Sequence, residues 1–199
     1  MRSLAVICLL LTCAACIQLG GKPQTQRYHL LAALGEAGQQ QSGGTLLLAQ
    51  LDFPEYLDRP QLVARQPTGQ LRILPADRWA EPLQKNLARV IKENLQRRLP
   101  RLNIDNYPWQ AAPPGGVLLK ISVYQFDGVL GSQTNVDIRW SLSDPLNQKT
   151  LSRNHFQAEL PIGDESEDLV LGLSRATDQL CTAIGRKLLQ LKQQPGEKP

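Results

Sequence analysis

The spacing of apolar residues changes several times along this chain, and each change marks an element. "YHLLAAL", residues 28–34, is an apolar run of strand length, and the Gly- and Gln-rich stretch 35–44 after it reads as a loop. "TLLLAQLDF", from Thr45, is the near-continuous apolar run of a strand buried on both faces, and Pro54 stops it. "PQLVARQ" and "QLRIL" flank the turn signal Pro67-Thr68-Gly69 and predict two short strands. The period then lengthens. Trp79, Leu83, Leu87, Val90, Ile91, Leu95 and Leu99 recur at three and four, which predicts one face of a helix. Pro82 falls in its first turn, where a missing N–H does no harm, and Pro100 ends it. About 20 residues at 1.5 Å rise give a helix roughly 30 Å long.

"NIDNYPWQAAPPGG" predicts a loop, and "GVLLKISVYQF" a long strand. "NVDIRWSLS" alternates strictly: Val136, Ile138, Trp140 and Leu142 face one way, and Asn135, Asp137, Arg139 and Ser141 the other. That is the signature of a half-buried antiparallel strand. Residues 127–135, "DGVLGSQTN", join these two strands in a loop that carries Val129 and Leu130. "DPLNQK" is a turn, and "TLSRNHFQAELPI" is the hairpin partner beyond it, with Phe156, Ala158 and Leu160 inward. A last helix follows the acidic start "GDESEDL", whose carboxylates suit a helix N-terminus. Its apolar face is Leu169, Leu173, Ala176, Leu180, Ile184, Leu188 and Leu191. The expected fold class is α+β, a mixed α/β layer in which two amphipathic helices cover a mostly antiparallel sheet.

Length and composition allow one ordinary domain. The chain has 199 residues, 42% hydrophobic and 20% charged, with a formal net charge of +4. Acidic and basic residues are interleaved and form no basic stripe, so nucleic acid is not an expected partner.

The first residues read as an address. Arg2 is followed by the apolar run from Leu4 to Leu11 and by Cys13-Ala14-Ala15-Cys16, the order of a secretory signal. A membrane span needs about 20 apolar residues, and this run turns polar near Gln18. Cys13-x-x-Cys16 matches a redox pair only in spacing, because no strand–helix context follows it. The stretch resembles the lipobox of bacterial lipoproteins, with Cys13 standing where that pattern favours Leu. The resemblance implies cleavage before Cys16 and acylation of its sulfur. It also implies outer-membrane retention, since Ile17 and not an aspartate follows. The alternative is an ordinary cleaved signal and a soluble secreted protein. The expected organisation is a signal peptide at 1–15, a lipidated tether at 16–27, one domain at 28–192 and a frayed tail at 193–199. Cys181, beside Leu180 and Ile184 in the last helix, reads as a small packed hydrophobe.

Catalytic motifs are hard to find. The two histidines, His29 and His155, fall in strand patterns away from any nucleophile signature. The chain has neither G-x-S-x-G nor a phosphate-binding glycine loop. The acidic group Asp164, Glu165, Glu167 and Asp168 lacks calcium-loop spacing. No enzyme activity, cofactor or metal is expected. Two rival readings are a soluble periplasmic hydrolase or binding protein that uses His155, and a structural envelope lipoprotein.

Two sequence blocks are more specific. Tyr28 with Leu30-Leu31 precedes Tyr56-Leu57-Asp58-Arg59-Pro60-Gln61-Leu62-Val63 and Arg65. Arg78-Trp79-Ala80-Glu81-Pro82-Leu83 then leads into a helix containing Asn94-Leu95. The chain thereby resembles the PqiC-type, or YmbA-like, ABC-transport auxiliary lipoproteins over nearly all of its mature length. That resemblance implies a fold like the N-terminal domain of TolB. It implies two partners, a periplasm-spanning protein of mammalian-cell-entry (MCE) domains and its inner-membrane permease. It further implies a homo-oligomeric ring and a place on the periplasmic face of the outer membrane, in lipid traffic and envelope integrity. Arg59, Arg65, Arg78, Trp79, Val129 and Leu130 are the candidate partner or subunit contacts. Each has a plainer alternative: intrachain ion pairs for Arg59 and Arg65, a core anchor at a helix start for Trp79, and a hairpin tip tucked on its own sheet for Val129 and Leu130.

Overall fold

In chain order the elements are β1 (Arg27–His29), β2 (Gly44–Leu48), β3 (Gln61–Arg65), β4 (Leu71–Trp79), α1 (Leu83–Arg98), β5 (Leu102–Asn106), β6 (Val117–Val129), β7 (Gln133–Ser143), β8 (Thr150–Ala158) and α2 (Ser166–Gln193). The computed structural model describes residues 25–38, 43–107 and 113–193. The signal segment, Cys16, most of the tether and residues 194–199 of the tail lie outside the described residues.

The long strands β6, β7 and β8 form an antiparallel meander. β2 joins β6 in parallel and β5 joins β2 in parallel, giving a mixed sheet of order β5-β2-β6-β7-β8. A second sheet has the order β1-β4-β3. The alternation read from β7 holds: Val136, Ile138, Trp140 and Leu142 are buried. α2 packs on β6, β7 and β8, while α1 packs on β5 and on α2. The α1 face buries Leu83, Leu87, Val90, Ile91 and Leu95. Each such side chain contributes roughly 1.5–3 kcal/mol. Gly172 lets α2 settle closely on the sheet, since a Cβ there would lie 2.6 Å from the Thr134 side chain.

Four expectations are corrected. The run 28–34 is a strand only as far as His29. Beyond it the chain crosses the α1–α2 seam, and buried helix side chains take over its backbone bonds. The N–H groups of Leu31 and Gly35 donate to the Asn86 and Asn94 side chains, each at 2.7 Å, and that of Ala32 donates to Ser174 at 3.0 Å. Next, α1 starts at Leu83, because Pro82 keeps an extended ψ of 126°. Trp79, four residues earlier, mimics the helical period but ends β4, paired with His29. Third, β4 continues past Pro75, but with a bulge. Leu74 pairs with Leu62 and Arg78 with Gln61, so residues 75–77 stand out of the β3 ladder. β1 pairs only from Asp77 onward, leaving Pro75 at a position where no ladder bond is lost. Last, the loop read at 103–116 contains most of β5, an edge strand with a single apolar face that carries too weak a pattern to register.

Candidate interaction site

The two specific sequence blocks meet in space. After a single 3-10 turn (Glu55–Leu57), Asp58–Pro60 bends the chain into β3. The Trp79 N–H donates to Pro60 O at 2.7 Å, and the Ala80 N–H donates to His29 O at 2.9 Å. Residues 58–60 and 79–83 thereby line one cleft of about 280 Å³ at the start of α1. Trp79 is buried in its wall, joined to the main core. Asp58 is exposed at the rim. Arg59 is half-buried, and its Nε finds no partner among the described residues. Glu81 accepts from Arg89 at 2.9 Å and Asn86 at 2.7 Å, bonds that hold its carboxyl below the usual range. Apolar walls with a charged rim suit the side chain of a docking segment. The cleft residues include no serine, cysteine or histidine that could act as a nucleophile or imidazole base.

Two buried carboxylates brace the elements around this cleft. Asp127, on β6, is fully buried and accepts four hydrogen bonds. They come from the Tyr56 hydroxyl (2.9 Å), Arg65 Nη2 (2.7 Å), Arg65 Nε (3.2 Å) and Gln125 (2.9 Å). Burial, reinforced by the Asp127 charge, raises the Tyr56 phenol above its ordinary value. Hydrogen bonding to Asp127 likewise raises the Arg65 guanidinium. Asp77, on β4, accepts from Arg27, from His29 Nε2 (2.8 Å) and from the Ser166 hydroxyl (2.8 Å). It ties the first strand and the start of α2 to the small sheet.

Ser, His and Asp side chains thus meet, but not in the order of a hydrolase. Ser166 and His29 both bond the same oxygen, Asp77 Oδ1, so the carboxylate sits between them. A working triad needs the imidazole between the other two. His155 contacts Asp137 at 2.8 Å and is not hydrogen-bonded to any nucleophile among the described residues. Among the described residues, no group of three His, Cys, Asp or Glu side chains is placed to hold a metal. Cys181 is buried, and burial pushes its thiol up, as fits a packed hydrophobe.

Burial pushes the Asp77 carboxyl up, but the bonds from Arg27, His29 and Ser166 outweigh it and hold it below its ordinary value. A depressed carboxylate stabilises the fold above the unfolded pKa of about 3.9 and loses that contribution as pH falls through the folded value. Asp77→Asn is therefore expected to lower stability at neutral pH and to flatten the acid limb below about pH 4. Urea unfolding of both proteins from pH 7 down to pH 3 checks this. An unchanged acid limb would count against the assignment.

Of the other sequence candidates, Arg65 makes the intrachain pair with Asp127. Arg78 is half-buried and donates to Gln26 at 2.6 Å. Val129 and Leu130 are half-buried, and Leu130 packs against the core. The tip that carries them is a tight turn through Gly131 (φ 74°), clamped by bonds of Gly131 to Gly163 and of Ile162 to Ser132. Sequence reasoning singled out neither Asp77 nor Asp127. Each is the lone acid of its strand, which becomes a signal only once its distant donors are placed beside it.

Together these features define a mixed α/β domain with one cleft at the start of α1 and two buried carboxylates that brace the elements around it. The chain belongs to the ABC-type transport auxiliary lipoprotein component family, whose model matches residues 28–185. The blocks at 56–65 and 78–83 thus pointed to the correct family. The fold is shared with two crystal structures. One is of an uncharacterized protein, 22% identical, with a TM-score of 0.69 over 82% of this chain and 99% of that one. The other is protein XCC0632 of Xanthomonas campestris, assigned to family DUF330, 16% identical, with a TM-score of 0.72 over 86% of this chain and 99% of that one. No curated protein matches the chain. No described helix is long and apolar enough to cross a membrane.

Proposed function

We propose that this protein is a non-enzymatic adaptor, acylated on Cys16 and held at the periplasmic face of the outer membrane. There it receives the periplasm-spanning MCE-domain partner of an inner-membrane permease. It acts as a homo-oligomer, needs no cofactor, and supports lipid traffic and envelope integrity. Its working body is the single domain 28–192. One observation carries the reading: the two family blocks, about 20 residues apart in sequence, build one cleft with an apolar wall and a charged rim. Arg59 and Trp79 belong to that cleft, and Arg78 flanks it.

A photoreactive residue at the exposed Asp58, compared with one at the exposed Leu146 of the β7–β8 turn, tests it in cells. Position 58 is expected to capture the MCE-domain partner and position 146 is not. Capture from 146 alone, or from neither position, would contradict the docking role of the cleft.

A further inference from the structure

After β1 the chain runs from Leu30 to Gly38 without regular structure, across the seam between α1 and α2. The bonds that hold this strap come from the helices. The Leu31 and Gly35 N–H groups rest on Asn86 and Asn94 of α1, and the Ala32 N–H rests on Ser174 of α2. Ala33 O accepts from Arg97 at 2.7 Å, and the Gly38 N–H donates to Arg97 O at 2.9 Å. From Arg27 to Gly38 only His29, Leu31 and Gly35 are buried, while Leu30 and Leu34 are exposed. So little burial makes a segment of low local stability, able to open while the core stays closed.

This same segment supports the cleft at two points. His29 pairs with Trp79, the cleft wall, and its carbonyl accepts the Ala80 N–H at 2.9 Å. Asn86 is the second point. Its fully buried side chain bonds in both directions: Oδ1 accepts from Leu31 of the strap, and Nδ2 donates to Glu81 at the cleft rim, both at 2.7 Å. Lifting Leu31 would leave that Oδ1 bare in a site without exposed surface, a costly state that the side chain can relieve only by turning away from Glu81.

We propose that residues 27–38 are a two-state strap that regulates the docking cleft. Seated, the strap fixes the Trp79–Ala80 wall and the Glu81 rim; unseated, it releases both. The inference rests on the docking reading of the cleft and adds its control. Because the two share contacts, a segment docked in the cleft holds the strap down as much as the strap holds the cleft in shape. The strap also lies in series with the anchor. With Cys16 acylated, a pull between membrane and body reaches β1 and the strap before the rest of the domain. Load on the tether therefore favours the unseated state and release of the docked segment. Asp77 is the catch that resists it, since it holds both Arg27 and His29.

Amide hydrogen exchange on the unacylated chain from Ile17 onward tests the strap without any partner. The amides of Leu31, Gly35 and Ala80 are expected to share one protection factor within about threefold, and to exchange at least about a hundredfold faster than those of Leu180 and Ile184 in α2. The double variant Gly38→Ala, Ser174→Ala unseats the strap from outside the cleft. A Cβ at position 38 collides with the Arg98 carbonyl, and alanine at 174 removes the Ala32 acceptor. Exchange at Leu31, Gly35 and Ala80 is expected to quicken together by about tenfold, while Leu180 and Ile184 change by less than about twofold. In the complex captured through a photoreactive residue at position 58, Leu31 and Gly35, which do not line the cleft, are expected to exchange about tenfold more slowly than in the free chain. An unaltered Ala80 beside a quickened Leu31 would separate strap from cleft and overturn the proposal. Equal acceleration in α2 would make the segment part of the global fold and overturn it too. So would an unchanged Leu31 rate in the double variant or in the captured complex. Failure of position 58 to capture a partner counts against the docking reading, and the free-chain exchange still decides the strap.

Discussion

Replacing Asp127 with alanine is expected to destabilise the domain by roughly 3–5 kcal/mol, the cost of removing one partner from a buried, hydrogen-bonded charge pair. The carboxylate has no exposed surface, whereas the Arg65 side chain is 26% exposed, so the figure belongs at the lower end of that range. Its loss strands the Tyr56 hydroxyl, the Gln125 amide and two guanidinium nitrogens in a part-buried site. Tyr56 precedes the Asp58–Pro60 bend and Arg65 ends β3, so the cleft should loosen along with the fold. Urea denaturation checks this: the midpoint should fall while the slope stays near that of the parent. A change below about 0.5 kcal/mol would show that the pair is not a brace, since surface substitutions stay within that limit.

Cys16→Ala is expected to have the largest effect in the cell. A triacylated cysteine holds by several buried chains, each methylene adding roughly 0.8 kcal/mol, and no described helix is long and apolar enough to cross a membrane. The variant should move from the membrane fraction to the soluble periplasm or remain unprocessed. Its body should still fold, because the described core runs from Leu31 to Leu188 within the domain. Undiminished membrane fractionation of a processed Cys16→Ala protein would contradict acyl anchoring.

The order of elements was legible because burial imposes its period on the sequence. The strict alternation from Val136 to Leu142 placed β7 on its correct face, and the three-four spacing from Leu83 to Leu95 placed α1. The misses share a physical cause. Trp79 fits a helical period but is held in β4 by Pro82, whose backbone cannot begin the helix earlier. The run 28–34 looks like a strand because extended chain and strand share a residue preference. Only the positions of Asn86, Asn94 and Ser174, brought together by two separate helices, show that it lies across a helix seam. β5 has too little apolar content to be read without β2 beside it. At the site, the DRPQLV and RWAEPL blocks were visible as motifs, but their convergence was not, because a cleft depends on tertiary register. Asp77 and Asp127 were invisible for the same reason: their donors lie as many as 89 residues away.

The account depends most on how the mature chain begins. Intact-mass and N-terminal peptide mass spectrometry of the protein purified from membranes tests this directly. The expected result is a chain that begins at Cys16, with residues 1–15 absent and the mass of covalent acyl groups on that residue. A mature chain that begins elsewhere, or that carries Cys16 without any acyl mass, would contradict it.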